Sequence, residues 1–178
     1  THAGIEVEGR HEYGKAADEC LVVKVVAINP HPSKSGLRLV TVEREGGKTQ
    51  EVVCGAPNVP DPGGLVVLAP LGVHLPAKNL TIAPRAIGGV SSEGMLCSES
   101  ELGLSEESGG IIILPPGIAE PGTPLSKAVP NARDTVFEIG LTPNRPDGLG
   151  HIGLARELSA LFAIPFGWPA IPAPTSVA

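Results

Sequence analysis

The chain has 178 residues, 42% of them hydrophobic and 18% charged, with a net charge of −6 and a pI near 5.3. That length suits a single domain, or a barrel of about 100 residues with flanking pieces. The acidic balance excludes a dedicated polyanion binder with an overall basic surplus, so any contact with nucleic acid has to be local, weak or shared with a partner.

There are 23 glycines and 19 prolines, and apolar runs lie between them. Such punctuation fits many short strands joined by tight turns better than it fits disorder. Residues 1–18 open with the alternating run Ile5-Glu6-Val7-Glu8, an edge strand whose partner has to be distant in sequence. Leu21 to Ile28, Leu37 to Val42 and Thr49 to Cys54 read as a meander, with Gly46-Gly47 as the turn of the second hairpin. A fourth apolar run covers Leu65 to Leu68 and a fifth covers Leu80 to Ile87, with Pro84 marking an edge or bulge. Five to six short strands at this spacing predict a small closed barrel. Residues 91–108 are acidic, with Ser98 and Glu101 spaced as a capping box for a short helix. Ile111 to Leu114 reads as a last strand, closed by Pro115-Pro116. Val136 to Leu141 is a further strand, and Asp147 is an N-cap candidate for a helix whose apolar face holds Leu149, Ile152, Ala155, Leu158, Leu161 and Phe162. The Pro/Ala-rich tail at 166–178 reads as a linker.

The cysteines are Cys20, Cys54 and Cys97, an odd number without a CxxC pair. No disulfide framework is expected, and a reducing cytoplasm is the natural compartment. No apolar run approaches the roughly 20 residues of a membrane span, and no signal-peptide pattern opens the chain. Thr1 is not an initiator Met, which reads as a processed or truncated chain.

The chemistry-bearing residue types fall into no catalytic pattern. Cys54, Cys97, His31 and His74 lack the close spacing of zinc ligands and read as buried thiols and loop histidines. There is no GxSxG elbow and no GxxxxGK loop. Glu99, Glu101, Glu106 and Glu107 read as a solvated acidic face. No catalytic residue, metal ligand or cofactor is therefore assigned to this chain. Charge asymmetry is more informative. Between residues 20 and 90 seven basic residues face four acidic ones, a local surplus of three inside an acidic chain. Aromatic residues, at 3%, are too few for a strong base-stacking platform.

Several strings carry a resemblance. His31-Pro32 followed by Leu37-Arg38-Leu39-Val40-Thr41-Val42 resembles the opening of the tRNA-binding oligonucleotide-fold domain. Val52-Val53-Cys54-Gly55-Ala56-Pro57-Asn58-Val59 is a second match, and the run from Ser92 to Leu104 a third. Leu141-Thr142-Pro143-Asn144-Arg145-Pro146-Asp147, with Gly153-Leu154-Ala155-Arg156-Glu157, is a fourth. In this order, and with Gly4-Ile5-Glu6-Val7-Glu8-Gly9 before them, they are similar to the N-terminal part of the bacterial phenylalanyl-tRNA synthetase β chain. The sequence departs from that family's usual pattern at Gly36, Gly140 and Gly148.

The resemblance implies a mainly β fold, a five-stranded OB-fold barrel inserted into a small α+β domain. The barrel would take residues 19–130, and the host domain 1–18 and 131–165. It implies an α2β2 enzyme that joins phenylalanine to its tRNA with ATP and Mg²⁺, its active site lying outside this chain. The implied partners are tRNA, the synthetase α chain and the rest of the β chain, with no DNA and no membrane. On the open face of such a barrel the candidate tRNA-binding residues are Lys34, Arg38, Asn58, Arg85, Ser92 and Met95. Lys and Arg suit phosphate, and Asn58 and Ser92 offer hydrogen bonds to base or ribose. A competing reading is an architectural module that packs on other subunits and has little RNA affinity of its own. The acidic balance and the scarcity of aromatics favour it.

Overall fold

The computed structural model describes residues 4–168 and 170. Of the 166–178 stretch read as a linker, residue 169 and residues 171–178 lie outside the described part. Contacts divide the chain into two units, one of Glu12–Val136 and one joining the segment up to His11 with the segment from Phe137 onward.

In the Glu12–Val136 unit, β2 (Leu21–Pro30), β3 (Arg38–Glu43) and β4 (Thr49–Cys54) form the expected meander. Residues Gly46 and Gly47 turn the β3–β4 hairpin at φ 70° and 75°, left-handed values that suit residues without a Cβ. β5 (Leu65–Pro70) pairs antiparallel with β2, and β10 (Gly94–Leu96) pairs antiparallel with β5. The order β10-β5-β2-β3-β4 makes a nearly closed antiparallel barrel of five strands. The seam between β4 and β10 is bridged by side chains. Ser92 Oγ accepts the Val53 N–H at 3.1 Å, and Gln50 Nε2 donates to the Glu93 carbonyl.

Two cores share β2 and β5. Inside the barrel lie Val23, Val25, Val40, Val42, Val52, Val66 and Leu68. The other core holds Val22, Leu65, Val67 and Ala69 beneath Ala16, Ala17, Leu102 and Leu125. β5 is buried on both faces, which is why its sequence is an unbroken apolar run. A bulge between Val25 and Ala27 lets β2 bend around the barrel and leaves Val26 exposed.

The structure corrects three expectations. The run Leu80 to Ile87 is not a barrel strand. It splits at Ala83-Pro84 into β7 (Leu80–Thr81), paired with β6 (His74–Leu75), and β8 (Arg85–Ile87), paired with β9 (Val90–Ser92). Pro84 has no N–H to give a ladder. The fifth barrel strand is instead β10, in the stretch that reads as acidic and helical. Ile111 to Leu114 contributes only β11 (Ile113–Leu114), which shares with β10 the edge of β5 away from β2. The capping box does form: Ser98 and Glu101 close reciprocally on α1 (Glu99–Leu102). α2 (Leu125–Ala128) covers the second core.

In the other unit, β1 (Ile5–Tyr13) finds its distant partner in β12 (Asp134–Leu141). α3 spans His151–Phe162 and buries none of its side chains. Asp147 is not its N-cap. That place falls to Gly150, because Pro146–Leu149 forms a separate 3-10 turn and the Asp147 carboxylate is held by Arg145 at 2.9 and 3.0 Å. Among the described residues no helix is long and apolar enough to cross a membrane.

Candidate nucleic-acid interface

Three pieces of chain meet at the barrel end where β3 begins and β4 finishes. Arg38 opposes both Pro30 and Cys54, so the 31–37 loop and the segment 55–58 emerge side by side. The hairpin of β8 and β9 joins them through its tip. His31 is 7% exposed although it lies in a loop. Its Nδ1 accepts the backbone N–H groups of Ser33 and Lys34, at 3.2 and 3.1 Å. A ring nitrogen that accepts leaves the proton to the other, so Nε2 donates to the Ile87 carbonyl at 2.9 Å. Ser33 Oγ adds a bond to the Gly88 carbonyl at 2.9 Å. Gly88 sits at φ 56°, and a Cβ there would come within 2.6 Å of the His31 ring.

The six candidate residues divide into groups. Lys34 and Arg85 are exposed, and Arg38 is half-buried with Nη2 3.4 Å from the Pro57 carbonyl. Among the described residues no carboxylate stands in ion-pair range of these three cations, whereas Lys24 is neutralised by Glu43 and Lys15 by Glu12. Asn58 and Ser92 are committed to the fold. Asn58 donates to the Ile111 carbonyl and accepts the Ile111 N–H, each at 2.9 Å. Ser92, 4% exposed, accepts from Val53 and donates to the Gly94 carbonyl at 3.1 Å. Met95 is half-buried and walls a cleft of about 290 Å³ with Leu80, Pro84, Arg85 and Ile87.

Nothing in the sequence marks His31 and Gly88 as partners. The available signal was a His-Pro pair ahead of small residues, which marks a turn but not what the ring reaches. At the other end of the β3–β4 hairpin, Arg44 and Lys48 line a hollow with Glu45, Glu51 and Glu93, a mixed set that gives a polyanion no net attraction. Among the described residues no three His, Cys, Asp or Glu side chains converge on a metal position. All three thiols are free and buried. Burial pushes the Cys54 thiol above its ordinary pKa; Cys97 is raised by its hydrogen bond with Cys20 and then by burial.

A family model described as "Putative tRNA binding domain" matches residues 21–124, from the start of β2 to the residue before α2. The chain belongs to this tRNA-binding domain family. The ends of the matched segment are neighbours in space, through the bridge between Leu21 and Pro124. The similarity extends beyond the tRNA-binding domain. The chain is 42% identical over 161 residues to the phenylalanine–tRNA ligase beta subunit of Anaeromyxobacter dehalogenans, covering 90% of this chain and 20% of the relative. It is also 42% identical over 171 residues to that subunit of Syntrophus aciditrophicus, covering 96% and 21%. The chain thus spans about one fifth of the length of these curated relatives. Among solved structures, a MetRS related protein from Pyrococcus horikoshii is 22% identical with a TM-score of 0.40, covering 58% of this chain and 84% of that one.

Proposed function

We propose that this chain is the tRNA-contacting module of a phenylalanine–tRNA ligase β subunit. The observation that carries the reading is the uncompensated set Lys34, Arg38 and Arg85 at one end of a barrel of the tRNA-binding family. A phosphate backbone recognises such a set through charge, and the nearby cleft beside Met95 offers apolar surface to an unstacked base. With three cations in the set, binding is electrostatic and weak. In the whole enzyme the chemistry, attachment of phenylalanine to tRNA with ATP and Mg²⁺, belongs to the synthetase α chain and the rest of the β chain in the cytoplasm. No residue of this chain is assigned to it.

Titration of the chain with phenylalanine tRNA tests the reading. A dissociation constant on the order of 10⁻⁶ to 10⁻⁴ M is expected, weakening with salt at a log–log slope of about two to three for three phosphate contacts. Removal of Arg85 lowers the slope by roughly one. No binding at low salt overturns the reading. It would favour the alternative of an assembly module, which the net charge of −6 and the unburied apolar face of α3 support.

A further inference from the structure

We propose that His31 is a positioning residue: its imidazole rivets the β8–β9 hairpin to the β2–β3 loop and, with the Ser92 anchor at the hairpin base, sets where Arg85 stands relative to Lys34 and Arg38. This rests on the reading that this end of the barrel meets tRNA.

The hairpin needs such a rivet. β8 and β9 form their own two-stranded sheet with three residue pairs and join no barrel strand through a ladder. An isolated two-stranded ribbon is marginal in water. One anchor lies at its base, where Ser92 Oγ holds Val53. The other is the pair of bonds near its tip, from His31 to Ile87 and from Ser33 to Gly88. Arg85 belongs to this ribbon, whereas Lys34 and Arg38 belong to the loop and to β3. Arg85 pairs with Ser92 at the anchored base, and Ile87, two residues on, takes the rivet, so the distance between the two sets of charge depends on both anchors.

Histidine suits the task because its two ring nitrogens face opposite ways. Nδ1 closes the loop on two N–H groups while Nε2 reaches across to another segment. Asparagine reproduces the first half only. Its Oδ1 accepts backbone N–H groups in an Asx turn, and its amide is too short to reach Ile87. The glycine at position 88 completes the fit, since any Cβ there would displace the ring.

The experiment compares the chain with His31→Asn, Arg85→Ala and the double variant, using phenylalanine tRNA as the probe and amide hydrogen exchange as a second readout. His31→Asn is expected to speed exchange in the β8–β9 ladder about fivefold or more and to leave β2 and β5 protected. It is expected to weaken tRNA binding by a similar factor. Arg85→Ala is expected to weaken binding in the parent chain and to have a smaller effect in His31→Asn, because the rivet bears on where the arginine stands. Unchanged affinity in His31→Asn despite faster exchange, or strictly additive effects, would overturn the proposal while leaving the RNA reading intact. Unchanged hairpin exchange would also overturn it. Failure of the parent chain to bind tRNA would sink both readings, and the exchange data would still report whether the rivet exists. Ser33→Ala removes only the hydroxyl bond to Gly88 and carries the same test at smaller amplitude if His31→Asn does not fold.

Discussion

Asn58 shows how a plausible contact residue can belong to the scaffold. Read along the chain, an amide in the segment after a barrel strand suggests base recognition. In the structure both ends of that amide are satisfied by the backbone of Ile111. Asn58→Ala leaves the Ile111 N–H and carbonyl without partners and is expected to cost about 1–3 kcal/mol in urea unfolding. Its tRNA affinity, measured where the variant is still folded, should match the parent. Arg145 and Asp147 carry a prediction of the same kind in the other unit. Arg145 grips Asp147 and also Glu157 at 2.8 Å. The hydrogen bond from Arg145 holds the Asp147 carboxyl below its ordinary value of 3.8. A depressed carboxyl stabilises the fold above its unfolded pKa and loses that contribution as pH falls through the folded one. Carboxyl NMR should find the Asp147 midpoint below 3.8, and Arg145→Gln should move it up.

Among the elements, β5 and β10 mark what a sequence can and cannot reveal. β5 is legible because burial on both faces demands apolar residues at every position. The meander is legible from its alternation and from the Gly46-Gly47 turn. β10 is not, because three residues, Gly94-Met95-Leu96, are too short to show a period and stand next to a capping box that reads as helix. The hairpin of β8 and β9 merges with the run before it, since Pro84 alone divides them. At the candidate site the cations were legible as charge, but the rivet was not, because which atoms a His-Pro loop reaches is set by a hairpin 56 positions away. Burial gives a measurable difference between β5 and the Pro146–Leu149 turn. Leu68 is fully buried, and Leu68→Ala is expected to cost about 2–5 kcal/mol in chemical denaturation. Leu149 is 80% exposed, and Leu149→Ser should fall within about 0.5 kcal/mol of the parent.

The whole molecule divides unevenly, and the division carries the last prediction. Among the described residues, both hydrophobic cores draw on the segment from Ala16 to Ala132. The ends of the barrel segment are tied by Leu21 and Pro124, reinforced by Val22 N–H to the Thr123 carbonyl and Gly122 N–H to the Val22 carbonyl, both at 2.8 Å. We propose that the Glu12–Val136 unit is an inserted domain that needs nothing from its host to fold. The host unit has no comparable core among its described residues: α3 buries no side chain, and Phe162 and Trp168 are 69% and 70% exposed. Apolar surface of that kind promotes association. A fragment of residues 12–136 is therefore expected to unfold cooperatively, to stay monomeric at concentrations where the 178-residue chain self-associates, and to retain the same tRNA affinity and salt slope. Thermal unfolding, sedimentation and the tRNA titration check the three parts. An unfolded fragment would mean that the barrel draws stability from its host. A folded fragment that has lost its affinity would mean that the host unit contributes phosphate contacts beyond Lys34, Arg38 and Arg85.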